Sequence, residues 1–393
     1  MMAALIKDPV FLLAYLAGVV GLVFQVSRVP RLQGLFDRLP ALVWTFFIPM
    51  LSTSAGLIPD ESPLYRALAR YLLPACLVLL LISAELKAIA RLGRTALVVM
   101  AAGCLGVALG CVAAFLILRP WLPAEAWKAA GALAGTWIGG SANLIAVGTT
   151  LGLSPELQGI IIIVDTVVGY TWMGLLISFA AHQDRFDRWN GADRAVMDGV
   201  GARLAERKAK ASRPMAVADA TLMVGLAIVL TAACLWVGGV LPPVGRVLNQ
   251  FSWAILLLTS VALLLSLTPL SRLEEAGAST LGYAGFYLLL ASVGAQGDLR
   301  KVAAHPQFVL FGVIVIAVHA LLTLAAIRLL RAPLFFFGAA SQACVGGYSS
   351  APVVAAIYHP ALAPVGLLLA VLGNVIGTYA GLLVAQVLSG LAA

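Results

Sequence analysis

Long stretches of this chain contain no Lys, Arg, Asp or Glu, among them Pro9 to Ser27, Leu39 to Pro59, Thr95 to Leu118, Ala129 to Pro155, Ala220 to Gly245, Val247 to Ser271 and Ala332 to Ala393. Roughly 20 apolar residues in a helix cross a hydrocarbon core, and each run is about that long or longer. Charged residues make up 11% of the 393 and hydrophobic residues 62%, against about 25% and about 45 to 50% in soluble domains. A soluble particle needs a charged skin that this chain lacks. The fold class expected is an all-α polytopic membrane protein lying in a lipid bilayer. Soluble enzymes, collagen-like chains and disordered chains are excluded.

Twelve helical segments are expected at about 9–27, 39–58, 68–86, 95–118, 129–152, 157–181, 217–240, 248–268, 279–296, 307–329, 333–357 and 361–390. Six lie on each side of a linker, 182–214, where thirteen charged residues gather and no apolar run occurs. That linker, with Asp184, Asp187 and Asp193, is expected to be a solvated cytoplasmic loop. Lys and Arg elsewhere fall in loops, so the net charge of +8 reflects membrane orientation rather than nucleic acid. Cys76, Cys104, Cys111, Cys234 and Cys344 all lie in apolar segments without C-x-x-C spacing. They read as buried hydrophobes, not metal ligands or disulfides.

The midpoint linker suggests an internal duplication. GTWIGGSANLIAVGTTLGLSPELQ in the first half resembles SQACVGGYSSAPVVAAIYHPALAP in the second. Gly139-Gly140 matches Gly346-Gly347, Pro155 matches Pro360, and Tyr170 matches Tyr379. Upstream, Glu85 before Lys87 and Arg91 matches Asp298 before Arg300 and Lys301. The residues between Ala129 and the first glycine pair, and those after it to Thr150, give two legs of about 15 Å, half a hydrocarbon core each. Such legs fit a re-entrant hairpin or one broken spanning helix. Ten crossings plus two hairpins make the repeats inverted, twelve crossings make them parallel, and both place the linker in the cytoplasm.

WIGGSAN and VGGYSS carry the chemistry. Glycine pairs free backbone amides and carbonyls, and Ser141, Asn143, Tyr348, Ser349 and Ser350 add neutral polar groups beside them. The competing explanation, close helix packing, accounts for the glycines but not for polar residues after both pairs. Asp165 sits inside IIIIVDTVVGY, where a carboxylate costs about 2.5 to 3.5 kcal/mol on insertion scales and marks a functional position. Asp165, with Thr166, Asn143 and Asn374, is the candidate coupling-ion site. Gly139, Gly140, Ser141, Asn143, Gly346, Gly347, Tyr348, Ser349 and Ser350 are the candidate substrate site. Glu85 and Asp298 read as interfacial groups, and His319 as a packing residue. Pro49 and Pro352 are expected to bend their helices. No H-E-x-x-H, G-x-S-x-G, P-loop or Cys/His cluster occurs, and Asp165 and Asp298 lack the motifs of intramembrane aspartyl proteases, so no catalytic residue and no metal centre is assigned.

GTWIGGSANLIAV, IIIIVDTVVGYTWM, GAQGDL and CVGGYSSAPVVAA together resemble the YjcL-like family of bacterial membrane proteins, of long-unassigned function, through essentially the whole chain. More distantly, a glycine pair followed by polar residues in each half is similar to the bile acid:sodium, glutamate:sodium and citrate:sodium symporters. Those resemblances imply inverted repeats, a scaffold and a moving core, sodium coupling and a homodimer in the inner membrane. They mark Gly139, Gly140, Ser141, Asn143, Gly346, Gly347, Ser349 and Ser350 as crossover or hairpin tips. This chain departs from the symporters in having no basic residue at those tips, and in adding Asp165.

The expectation is a secondary transporter with inverted repeats, each of five crossings plus one re-entrant Gly-Gly hairpin or broken helix, the first repeat at 1–181 (scaffold 9–86, core 95–181) and the second at 215–393 (scaffold 217–296, core 307–390). It takes a small polar metabolite, with an anionic group placed at a half-helix N-terminus. It has no cofactor and a coupling Na+ or H+. A channel or gated pore is the alternative, followed by an intramembrane hydrolase.

Overall fold

A computed structural model describes residues 4–38, 41–84, 89, 92–192, 213–297, 306–359 and 362–392, apart from the side chains of 37, 38 and 349. Every regular element among them is helical. The first half comprises α1 (Pro9–Ser27), α2 (Ala41–Ser54), α3 (Pro63–Ile82), α4 (Arg94–Leu118), α5 (Ala126–Gly139), α6 (Ser141–Leu151) and α7 (Pro155–Ala180). A short helix, α8 (Gln183–Asn190), leads into the linker. The second half comprises α9 (Val217–Val240), α10 (Gln250–Ser266), α11 (Ala278–Gly294), α12 (Gln307–Leu329), α13 (Leu334–Val345), α14 (Gly347–Tyr358) and α15 (Ala363–Leu391). Seven described helices are long and apolar enough to cross a membrane, and up to nine spans result if bent pairs count as one. In one such pair, α10 turns by 91° into the 3-10 stretch Pro269–Ala276.

Local chemistry sets the boundaries. Asp8 starts α1 by accepting the N–H groups of Val10 (2.8 Å) and Phe11 (3.2 Å), with Pro9 at the first helical position, where a missing N–H is harmless. Ser154-Pro155 starts α7 and Asn249 starts α10 in the same manner. Pro74 inside α3 cannot donate to the preceding turn. The wider π turn over Leu68–Leu72 accommodates it. The helix expected to reach residue 58 ends at Ser54 in the structure.

The pairings are reciprocal. α1 packs on α2 and α11, whereas α9 packs on α10 and α3; α2 meets α11 as α10 meets α3. α4 pairs with α12, and α5 crosses α15. Two sets of helices result: α1–α3 with α9–α11, and α4–α7 with α12–α15. Principal contacts between the sets run along α2–α7 and along α10–α15. The outermost helices, α1 and α9, bury only 17% and 22% of their most apolar windows, and the apolar remainder suits lipid.

Small residues make the closest crossings. On α5 and α15, a Cβ at Gly131 would lie 2.7 Å from Ala385 Cβ, and one at Gly377 would lie 2.7 Å from Gly139 Cα. On α4 and α12, a Cβ at Gly106 would lie 2.7 Å from His319 Cα. Both crossings join one half of the chain to the other.

The start of the linker corrects the expectation of a solvated loop. Asp187 is 3% exposed, and its Oδ1 accepts the N–H of Leu334 (2.8 Å) at the start of α13. Asn190 donates to Ile327 O (3.1 Å) and Ala332 O (2.8 Å). These side chains satisfy backbone groups that a helix end and a helix start leave unpaired, which is why a polar octapeptide docks instead of floating. Trp189 lies under the Arg328 guanidinium at 4.4 Å from its ring centre.

Candidate functional site

At the α2–α7 seam lies a cavity of about 230 Å3, large enough to hold several waters or a small solute. Ala41, Leu42 and Val43 of α2 and Tyr287 of α11 form one wall. Thr136, Gly140, Ser141, Gln342, Val345, Gly346 and Ser350 come from the two glycine motifs, and Asp165, Thr166, Gly169, Tyr170 and Met173 from α7.

The glycine pairs create this geometry, and their members do different jobs. Gly140 has φ 84° and ψ 173°, a region essentially restricted to glycine, and it ends α5 and starts α6. Gly347 has φ 62° and begins α14. A Cβ on Gly347 would have Gly140 Cα as its one neighbour within 4 Å, at 3.6 Å, so the two breaks abut. Gly139 and Gly346 are packing glycines. Side chains there would strike the Asn143 amide and α15, or the Gln342 amide and the Ser350 hydroxyl. The legs of each break lie side by side: Lys128 at the start of α5 donates to Gly152 O beyond α6 (3.2 Å), and Tyr358 at the end of α14 covers Gly338 near the start of α13.

Asp165 is the one acidic residue of the lining among the described residues and is partly exposed to the cavity. Trp137 Nε1 donates to its Oδ1 at 2.8 Å, tying α7 to α5. Thr166 also lines the cavity, with its hydroxyl donating to Ile162 O (2.8 Å). Asn143 and Asn374 are 2% and 5% exposed and stand behind the break. Asn143 Nδ2 donates to Gly139 O (2.7 Å) and Asn374 Oδ1 (2.9 Å), while its Oδ1 accepts from Thr378 (2.6 Å). Tyr348 packs edge-on against Tyr283. Ser141 and Ser350 face the cavity, whereas the Ser349 side chain, Glu85 and Asp298 lie outside the described residues. No three His, Cys, Asp or Glu side chains come together among the described residues.

His319 is fully buried away from the cavity. Its Nδ1 lies 2.8 Å from Gly103 O and its Nε2 2.8 Å from Ser341 Oγ, which accepts Trp172 Nε1 (2.8 Å). This satisfied chain joins α4, α7, α12 and α13 and matches the packing role expected of it.

Sequence reasoning missed Thr136, Gln342, Tyr287 and the start of α2. Thr136 and Gln342 each sit one helical turn before the break they face, a polar-residue signal that was available. The contributions of α2 and α11 are tertiary and leave no such mark.

The family model described as "Protein of unknown function (DUF819)" matches residues 12–391. The uncharacterized membrane protein YjcL of Bacillus subtilis (strain 168) is 27% identical over 345 residues, covering 84% of this chain and 85% of its own length. Spanning apolar helices, a cavity between two helix sets and a match over nearly its whole length agree: this chain is a multi-pass membrane protein and belongs to the DUF819 family.

Proposed function

We propose that the protein is a secondary active transporter of the bacterial inner membrane that moves a small polar metabolite together with a cation, sodium in preference to a proton. The observation that carries this reading is the abutment of the breaks at Gly140 and Gly347 in a small cavity beside Asp165. Irregular backbone at membrane depth is tolerated where it lines a cavity, and transporters use such breaks to hold solutes and ions.

In this reading the halves are inverted repeats, and α5–α6 and α13–α14 are re-entrant hairpins. The set α4–α7 with α12–α15 is the moving core of an elevator, and the other set is the scaffold, with a homodimer formed through it. The coupling ion binds Asp165 with Thr166 and backbone carbonyls of the broken helices, while Asn143 and Asn374 hold the first break in shape. An ionised carboxylate crossing the barrier alone carries a penalty of about 2.5 to 3.5 kcal/mol, so the empty core is retained and the cation-loaded core is free to move. That asymmetry is what couples the two fluxes. The substrate occupies the rest of the cavity between Ser141 and Ser350. In this reading Tyr379 latches the α10–α15 seam, where its Oη lies 2.9 Å from Thr259 Oγ1 and 2.8 Å from Ser260 Oγ.

Proteoliposomes loaded against an inward sodium gradient test the reading with a pool of labelled metabolites. Saturable, gradient-driven uptake that Asp165→Asn abolishes is expected. A passive conductance that ignores the gradient and survives Asp165→Asn contradicts it and identifies a channel.

A further inference from the structure

Away from the cavity, two of the five cysteines meet although 240 residues separate them in the chain. Cys104 of α4 and Cys344 of α13 bring their Sγ atoms to 3.9 Å, and the Cys344 Sγ lies 3.6 Å from the Met100 Sδ. Met100 stands one turn before Cys104 on α4, a spacing that puts both side chains on one face. Gly103 permits the approach of the two helices, since a Cβ there would lie 3.3 Å from the Cys344 Sγ. Met100 and Cys344 are buried. Cys104 is half-buried beside exposed Leu105, so its thiol is the one that an incoming ligand meets first.

The donor set selects a class of ligand. Thiols and thioethers are soft, and they favour copper(I) and its relatives over hard cations. Three sulfurs held in a trigonal plane at roughly 2.3 Å from one ion are roughly 4.0 Å apart. Both measured separations are close to that, and small side-chain rotations suffice to close the site. The neighbouring imidazole adds no fourth donor: His319 already engages Gly103 O and Ser341 Oγ through its two ring nitrogens. Three soft donors without a fourth suit a trigonal monovalent ion better than tetrahedral zinc. Charge agrees. When a monovalent ion binds, one thiol forms a metal–sulfur bond and releases its proton to solvent, while the other thiol and the thioether donate lone pairs. No electron is transferred, and the site is neutral before and after, as a low-dielectric interior demands.

We infer that Met100, Cys104 and Cys344 form a binding site for one soft monovalent metal ion, copper(I) or silver(I), clamping α13 to α4. Because α13 ends at the second glycine break, an occupied site pins one leg of that break. The inference stands on these three sulfurs alone and is independent of the transporter reading.

Anaerobic titration of the purified full-length protein with copper(I), in competition with a colorimetric chelator, tests it. The wild type retains about one ion per chain. Cys104→Ser and Cys344→Ser each weaken retention by about tenfold or more, since even losses around a metal's ligands cost that much. Cys234→Ser, on α9 in the other helix set, leaves it unchanged. Met100→Leu keeps the side-chain volume and so preserves the fold if a buried cysteine variant does not, and it also weakens retention. X-ray absorption of the copper-loaded wild type shows about three sulfurs at roughly 2.3 Å, and Met100→Leu removes one of them. Silver(I), which cannot change oxidation state under these conditions, competes for the same single site. No retained copper in the wild type, retention undiminished in Met100→Leu and in both cysteine variants, or a two-sulfur shell overturns the inference.

Discussion

Within each glycine pair, the first member permits close packing and the second permits the chain to turn. Gly140 tolerates no Cβ for conformational reasons although open space surrounds it, since its φ is 84°. Gly140→Ala is expected to cost about 1 to 3 kcal/mol and to lower Tm, whereas Gly174→Ala, also in open space but inside a regular helix, leaves Tm near the wild-type value. Equal melting of the two variants contradicts the assignment. The letters exposed much at this scale, because a carboxylate in an apolar run and glycines followed by hydroxyls are costly enough in a membrane to stand out. They did not separate Asn143, whose amide is consumed by Gly139, Asn374 and Thr378, from Gln342, whose oxygen is not. An amide's orientation depends on what a distant helix offers it.

Helices here meet along glycine and alanine seams, so a single methyl group reports on a whole crossing. Gly377→Ala places a Cβ 2.7 Å from Gly139 Cα and is expected to destabilise by about 1 to 3 kcal/mol, measured as a lower denaturation midpoint in mild detergent. The docked helix α8 makes a second element-scale prediction. Asp187→Ala removes the acceptor for the Leu334 N–H, a loss of about 0.5 to 2 kcal/mol, and is expected to speed proteolysis at the linker. Unchanged cleavage contradicts the docking. Helix positions were legible from charge-free runs, since lipid leaves the backbone few alternatives. The docking of α8 was not, because its polar letters spell a loop unless the helix ends that they cap are already in place.

Across the whole molecule, helices of the two halves pair reciprocally, while the two seams between the helix sets differ. One opens as the cavity, and the other is closed by Tyr379 on Thr259 and Ser260. Tyr379→Phe removes both hydrogen bonds, each contributing about 0.5 to 1.5 kcal/mol, and is expected to speed hydrogen–deuterium exchange over 250–266; unchanged exchange argues against a latch. Which helices face each other across the seams followed from no local pattern, since apolar faces in lipid carry little directional signal. The most direct test of the account is equilibrium binding of radioactive sodium to the purified protein and to Asp165→Asn. Saturable binding of about one ion per chain that disappears in the variant is the result expected, and identical binding curves for the two proteins, or none for either, contradict the claim that Asp165 and the paired breaks hold a coupling cation.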